Sequence, residues 1–251
     1  YEGNSYRGIS CGRIREARVV QCLKINSEVT LFLCPVSKSC GDLLAKLLDN
    51  LTEEERQRAD RFSCFQAQQL FIVAHATLHW ALAGLGVQNY EIACAPQGKP
   101  YLNNQPDLHF NLSHTQGMVA VALHIGQPIG VDVERLASVQ TYLELAPRVM
   151  TAAECAHMAI QPVPEDRFTQ LWSAKEALMK ATGLGFGLPP RDIAFTGATP
   201  CLSSVPSEHG LPQDWWIYSH RLPGHWLALA SRSADLSVRS ITVTPQDLVT
   251  Q

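Results

Sequence analysis

The sequence lacks any apolar run that approaches the roughly 20 residues of a membrane-spanning helix. Residues 1–18 also lack the apolar stretch that a secretory signal peptide contains. We therefore expect a cytoplasmic protein that has no membrane partner.

Paired cysteines are also missing. The chain has 8 cysteines, but none of them form the C-x-x-C spacing that zinc sites use. At 251 residues the chain is long enough for a substantial core, so a scaffold held by disulfides is not expected. We predict reduced thiols that are mostly buried.

Charge is scarce and nearly balanced. Charged residues make up 17% of the sequence, the formal net charge is −3, and there is neither a basic run nor an acidic tail. This balance argues against a nucleic-acid partner. Apolar residues make up 46%, which is typical of a folded globular protein and excludes a disordered one.

The most informative stretch is residues 168–180, where apolar residues recur with the period of an amphipathic helix. Glu176 and Lys180 are four residues apart, so they share one face of that helix, and Trp172 lies one turn earlier. Gly183 follows where the helix should end. A Glu–Lys pair by itself is usually a surface ion pair.

A second acidic stretch, residues 129–136, reads as a strand. Val131 and Val133 alternate with Asp132 and Glu134, so the two carboxylates should point together to the face opposite the valines. Two such carboxylates and one from a helix would form a hard oxygen site of the kind that holds Mg²⁺. The D-x-E pattern alone is not specific.

The remaining patterns indicate an α+β fold with helices and antiparallel strands in each half of the chain. Thr52 with Glu55, and Thr151 with Glu154, have the spacing of helix-starting capping boxes. Gly126–Gly130 is the predicted seam between subdomains at 1–126 and 127–251. Further elements are predicted as a helix at 66–85 and strands at 29–36, 118–125, 215–219, 225–231 and 238–243.

Two patterns resemble binding motifs without satisfying them. His75 and His79 have metal-ligand spacing on a helix, but no acidic residue lies between them, which favours two partly buried histidines. The glycine-rich segment 182–190 follows a helix, whereas loops that bind phosphate precede one, so it is read as a helix end and a mobile loop.

Four motifs together resemble those of the Sfp-type 4′-phosphopantetheinyl transferases. They are Gly98-Lys99-Pro100, Phe110-Asn-Leu-Ser-His114, Gly130-Val-Asp-Val-Glu134 and Trp172-Ser-Ala-Lys-Glu-Ala-Leu-Met-Lys180. The resemblance implies two α+β subdomains related by a pseudo-twofold, with the active site in the cleft between them. It also implies transfer of 4′-phosphopantetheine from coenzyme A to a serine of a carrier protein, with release of adenosine 3′,5′-bisphosphate. A monomer is expected.

The resemblance implies a role for each matching residue. Asp132, Glu134 and Glu176 would hold Mg²⁺, Glu176 would also accept the serine proton directly or through a water, and Lys180 would neutralise the leaving phosphate. Lys175 would meet the phosphates from the side. The remaining coenzyme A contacts would come from Arg58, Lys99, Pro100, Ser113 and His114, with His114 on the 3′-phosphate. Arginines common in the family are absent at Gln69, Leu70, His75 and His79.

Two alternatives remain open at this stage. The same carboxylates would suit a Mg²⁺-dependent phosphohydrolase, and a non-catalytic module that binds carrier proteins or nucleotides would not need them. Leu184, Phe186 and Leu188 are a candidate docking surface for the carrier, with Arg191 attracting its acidic helices, although the three could equally pack as core.

Overall fold

The computed structural model describes residues 28–233 and 235–249 of the chain. Predictions that fall on residues 1–27, including those for Cys11 and Cys22, lie outside these ranges. Within them, no helix is both long enough and apolar enough to span a membrane.

The first half of the chain is a sheet with one long helix against it. Its strands run in the order β1-β5-β4, all antiparallel, and a short hairpin of β2 and β3 precedes β4. The elements are β1 (Glu28–Pro35), α1 (Leu44–Leu48), α2 (Glu53–Ala59), α3 (Phe65–Gly84), β2 (Ile92–Cys94), β3 (Pro100–Leu102), β4 (Leu108–Thr115) and β5 (Met118–Ile125).

The second half repeats this plan. Its sheet has the order β6-β10-β9, again antiparallel, and the hairpin of β7 and β8 stands where β2 and β3 stand in the first half. The elements are β6 (Ile129–Arg135), α4 (Val139–Val149), α5 (Ala152–Ala159), α6 (Pro164–Thr182), β7 (Ala194–Thr196), β8 (Cys201–Ser204), β9 (Trp216–Leu222), β10 (His225–Ser231) and β11 (Ser237–Thr242). The α+β class is confirmed, and the repeated order is what two related subdomains require.

Three apolar clusters stack these elements into layers. The first lies between α3 and one face of β1, β4 and β5. The second lies between α6 and one face of β10. The third joins the other faces of the two sheets, with Leu31 and Ala122 from the first half against Val131 and Leu229 from the second. The alternation of side chains along each strand thus places the sheets back to back, with a helix outside each.

The predicted boundary between the subdomains needs one correction. Strand β11 does not close the second half, because it pairs in parallel with β1 at the edge of the first sheet. Val243 and Leu248 then pack into the core of the first half. The chain therefore returns to its first half after completing the second.

Strands β4 and β6 meet where the halves join, but they belong to different sheets. Side chains of β4 take the place of backbone carbonyls as acceptors. Asn111 Oδ1 accepts from the Val131 N–H at 2.9 Å, and Ser113 Oγ accepts from the Val133 N–H at 3.3 Å. We call this pair of contacts the β4–β6 seam.

Candidate active site

Strand β6 directs its carboxylates as the alternation predicts. Val131 and Val133 are buried between the two sheets, whereas Asp132 and Glu134 lie on the face that receives α6. Asp132 is only 1% exposed. A carboxylate this deeply buried needs compensating partners, because removing a charge from water is costly.

Helix α6 lies directly against the start of this strand. A Cβ added to Gly130 would meet Ala177 O at 2.0 Å and Ala181 N at 2.5 Å. No side chain larger than hydrogen therefore fits at Gly130. This close approach brings Glu176 and Lys180, in the last two turns of α6, beside the carboxylates of β6.

The helix also ends where the sequence indicates. Gly183 adopts φ +77°, the left-handed conformation that glycine adopts readily after a helix, and Pro164 occupies the first turn.

The three predicted carboxylates lie close together. Asp132, Glu134 and Glu176 each offer an oxygen within 4.8 Å of the others, and no other acidic, histidine or cysteine cluster of this kind occurs in the described ranges.

Asp132 is the centre of the hydrogen bonds in this site. Lys180 Nζ donates to Asp132 Oδ1 at 2.6 Å and to Ser113 Oγ at 3.0 Å, and Ser113 Oγ lies 2.9 Å from the same carboxylate oxygen. Lys180 Nζ is 3.7 Å from Glu176 Oε2. Since Ser113 comes from β4, both halves of the chain contribute to the site.

The positive charge of Lys180 does not balance the negative charge of the three carboxylates. Burial, followed by the charge of Asp132, raises the pKa of Glu134 to about 8 and the pKa of Glu176 to about 7. Burial lowers the pKa of Lys180, but the charges of Asp132 and Glu176 outweigh it and raise the pKa overall. The cluster would thus gain from a second cation.

The donor set fits a hard divalent cation. Asp132 Oδ2 is buried and has no hydrogen-bond partner. It therefore has a free acceptor beside the oxygens of Glu134 and Glu176, and oxygen ligands of this kind suit Mg²⁺. Lys180 holds the other oxygen of Asp132, which leaves Oδ2 for the ion.

Lys175 does not reach this cluster, so its predicted contact with the phosphates is wrong. The side chain is fully buried on another face of α6, where Nζ donates to Glu154 Oε2 at 2.6 Å. The same ammonium also donates to three backbone carbonyls, those of Val149, Pro190 and Ile193. Lys175 is therefore a structural residue that joins α6 to α5.

The residues predicted for the nucleotide end fall into two groups. Arg58 and His114 are exposed in the first half, and the Arg58 guanidinium lies 5.2 Å from the centre of the Phe71 ring. Lys99 instead turns into the second half, where Nζ donates to Ile129 O and Ala181 O. Pro100 follows it as the first residue of β3.

His75 and His79 are held by Glu55, which agrees with the prediction of buried histidines. His75 Nδ1 lies 2.6 Å from Glu55 Oε1, and His79 Nε2 lies 2.7 Å from Glu55 Oε2. Burial raises the pKa of Glu55, but the hydrogen bonds from both histidines outweigh it and hold the pKa well below its usual value. Tyr90 completes the group through its contact with His79.

The predicted docking surface is reduced to one exposed side chain. Leu188 is 1% exposed and Leu184 packs against the core of the second half. These two residues therefore pack as core, which is the alternative to a docking surface. Phe186 is 72% exposed, with its ring 6.5 Å from that of Trp172. Arg191 is also exposed.

Sequence reasoning missed two residues that support the site. Thr115 Oγ1 donates to Glu134 Oε2 at 3.5 Å, and Asn111 forms the first contact of the β4–β6 seam. The alternation of Asn111, Ser113 and Thr115 along one strand was the available signal, because three polar side chains on one face predict a polar neighbour.

Comparison with known proteins agrees with this site. The family model described as the 4′-phosphopantetheinyl transferase superfamily matches residues 128–230. The chain is 30% identical over 195 residues to 4′-phosphopantetheinyl transferase HetI of Nostoc sp., which covers 73% of this chain and 81% of that protein. It is 38% identical over 94 residues to 4′-phosphopantetheinyl transferase Sfp of Bacillus subtilis, covering 37% of this chain and 41% of Sfp.

One solved structure shows a weak similarity to this chain. A holo-(acyl-carrier-protein) synthase from Bacillus anthracis, in complex with CoA (3′,5′-ADP), aligns with a TM-score of 0.37 and 18% identity, over 42% of this chain and 95% of that one. The related transferases show that this protein is an enzyme. The chain belongs to the Sfp-type family of 4′-phosphopantetheinyl transferases.

Proposed function

We propose that this enzyme transfers 4′-phosphopantetheine from coenzyme A to a serine of an acyl or peptidyl carrier protein, with Mg²⁺, and releases adenosine 3′,5′-bisphosphate. The observation that supports this best is the cluster of Asp132, Glu134 and Glu176 beside Lys180. We expect the enzyme to act as a monomer.

Asp132, Glu134 and Glu176 would hold the ion, with the unpartnered Oδ2 of Asp132 as one ligand. When bound, Mg²⁺ neutralises the oxygens of a pyrophosphate and polarises them as a Lewis acid. Ser113 and Lys180 fix the other oxygen of Asp132, so the carboxylate is oriented before any ligand arrives.

In the proposed reaction the serine Oγ forms a bond to the phosphorus that carries pantetheine. The bond from that phosphorus to the bridging oxygen breaks, and the adenosine 3′,5′-bisphosphate leaves with this oxygen. Glu176 would accept the serine proton directly or through a water, since its side chain is 21% exposed whereas Asp132 is buried. Lys180, whose side chain is 28% exposed, presents positive charge to the leaving phosphate.

The nucleotide end would lie along the first half. His114 lies on the residue after Ser113, and it is our candidate for a hydrogen bond to the 3′-phosphate. Partial desolvation and the charge of Lys180 lower the pKa of His114, so Arg58 would supply the positive charge. Pro100 would also contact coenzyme A. A charge-assisted contact to phosphate contributes about 1.5–3 kcal/mol, so the enzyme should prefer coenzyme A over 3′-dephospho-coenzyme A.

The test is to incubate the protein with coenzyme A, Mg²⁺ and a panel of apo carrier proteins, and to weigh the carriers. The wild type should add one phosphopantetheine group to at least one carrier. Asp132→Ala and Glu176→Ala should lose at least about 100-fold in rate. Asp60→Ala removes an exposed carboxylate of the first half and is the matched control.

Other outcomes would contradict the proposal. Turnover of Asp132→Ala or Glu176→Ala within about tenfold of the wild type would remove the carboxylates from the reaction. Breakdown of coenzyme A without any carrier would identify a phosphohydrolase. Carriers that bind but never gain mass would identify a binding module.

A further inference from the structure

Lys99 occupies an unusual place, because it is a lysine of the first half whose ammonium lies inside the second. The turn before it directs it there: Gly98 adopts φ +86°, and the Ala95 N–H donates to Lys99 O at 2.9 Å. Its side chain then passes Gly183, where a Cβ would lie 3.6 Å from Lys99 Cδ.

The ammonium joins two elements of the second half. Nζ donates to Ile129 O, in the first residue of β6, at 3.1 Å, and to Ala181 O, in the last turn of α6, at 3.2 Å. The last four carbonyls of a helix have no partner within it, so a cation that binds one of them caps the helix and opposes its dipole.

These two carbonyls lie beside the close approach of α6 to Gly130 of β6. Ile129 precedes Gly130, and Ala181 is one of the two residues whose backbone would clash with a Cβ there. Asp132 lies three residues beyond Ile129, and Lys180 immediately precedes Ala181. A shift of α6 along β6 would therefore change the 2.6 Å contact between Lys180 and Asp132.

We propose that Lys99 is a positioning residue that fixes α6 on β6, and so sets the distance between the carboxylates of the two elements. This inference rests on the proposed function only for its effect on transfer. It replaces the expectation that the Lys99 side chain contacts the nucleotide. Burial lowers the pKa of Lys99 to about 8, which is consistent with an ammonium removed from water.

The first experiment compares Lys99→Met with Lys99→Arg, and uses Lys46→Met as the control because Lys46 is exposed on α1. Lys99→Met should lower kcat by about tenfold. It should also lower the affinity for Mn²⁺, added without other ligands and measured by electron paramagnetic resonance, by about tenfold. The KM for coenzyme A should stay within about twofold, because the phosphates are held elsewhere. Lys99→Arg should restore most of both losses.

An increase in the KM for coenzyme A, with kcat and Mn²⁺ affinity unchanged, would make Lys99 a phosphate ligand and overturn the proposal. No difference between Lys99→Met and Lys46→Met would overturn it as well. Loss of Mn²⁺ affinity in a protein whose wild type transfers nothing would support the positioning role and contradict only the proposed function.

A second experiment uses the wild type and does not depend on how the variants fold. Reductive methylation followed by mass spectrometry measures how accessible each lysine is. Lys99 should react at the same rate with and without adenosine 3′,5′-bisphosphate, because its ammonium donates to protein carbonyls in both states. Protection of Lys99 that appears only with the nucleotide would show a ligand contact instead of a permanent link between α6 and β6.

Discussion

Lys175 and Lys180 lie five residues apart on α6, yet their surroundings differ. Lys180 lies beside Asp132 and Glu176, and more than a quarter of its side chain is exposed. Lys175 is enclosed by Glu154 and three carbonyls. The residue type and the motif are the same for both, so the direction in which each leaves the helix decides which groups it contacts.

Replacing Lys180 should affect turnover more than binding. If Lys180 stabilises charge that develops on the leaving phosphate, Lys180→Ala should lower kcat by roughly 100-fold and change the KM for coenzyme A by less than about twofold. Steady-state kinetics with a saturating carrier measures both. A higher KM with an unchanged kcat would instead make Lys180 a residue that binds the ground state.

Replacing Lys175 should affect stability and not binding. Lys175→Met leaves the Glu154 carboxylate buried without its cation, which should lower the free energy of unfolding by about 3–5 kcal/mol. Each kcal/mol corresponds to roughly 2–4 °C in Tm for a protein of this size. Thermal unfolding measures this loss.

The double variant Lys175→Met/Glu154→Gln is the control for this prediction. It removes the unpaired charge and should recover part of the lost stability, since the cost arises from a buried carboxylate without a partner. An unchanged Tm in Lys175→Met, together with a higher KM for coenzyme A, would return Lys175 to the phosphate site.

At the scale of elements, both halves use the same device to join a short helix to a long one. Glu55 closes the capping box at the start of α2 and binds His75 and His79 of α3. Glu154 closes the capping box at the start of α5 and binds Lys175 of α6. The capping boxes were predictable from local spacing, whereas their second role depends on helix packing that no local pattern records.

The Glu55 group should make the stability of the first half sensitive to acid. Because its folded-state pKa lies below the ordinary value of about 4.5, its contribution is complete above that pH and is lost as the pH falls toward the folded pKa. Below pH 4.5, Glu55→Gln should reduce the slope of the free energy of unfolding against pH by up to about 1.4 kcal/mol per pH unit.

Urea unfolding at several pH values measures this slope. Glu54→Gln is the matched control, since Glu54 is an exposed neighbour on the same helix and should leave the slope as in the wild type. The group around Glu55 also contains Tyr90, whose pKa rises to about 12 through burial and the charge of Glu55, so the phenol stays neutral throughout. Equal slopes for the wild type and Glu55→Gln would contradict the prediction.

The segment after α6 shows how far composition alone predicts exposure. Leu184, Phe186 and Leu188 are similar in sequence, but only Phe186 is exposed. Phe186→Ala should raise the KM for the carrier severalfold and leave Tm unchanged, whereas Leu188→Ala should cost about 2–5 kcal/mol of stability. Phe65→Ala, which removes an exposed ring from the first half, is the control for the carrier KM. A lower Tm with the same carrier KM would place Phe186 in the core.

At the scale of the whole molecule, the sequence predicted both halves but not how they are connected. The predicted bounds of β6, α3 and β10 lie within one residue of the observed ones, whereas α6 extends four residues before and two residues after the predicted 168–180. The return of β11 to the first sheet was not predictable, since the pairing partner of a strand lies outside its own sequence. The β4–β6 seam was missed for the same reason.

The seam makes a prediction that concerns both halves together. Asn111 is buried and its Oδ1 accepts from the Val131 N–H, so Asn111→Ala leaves a backbone donor of β6 without a partner at the junction of the two sheets. We expect a loss of about 1–3 kcal/mol in the free energy of unfolding. Because Asp132 follows Val131, kcat should also fall, while the KM for coenzyme A changes little. Urea unfolding and steady-state kinetics measure these effects.

Asn103→Ala, in an exposed turn, is the control and should change stability by less than about 0.5 kcal/mol. If Asn111→Ala loses no more than this control, the side chains of β4 do not hold the two halves together.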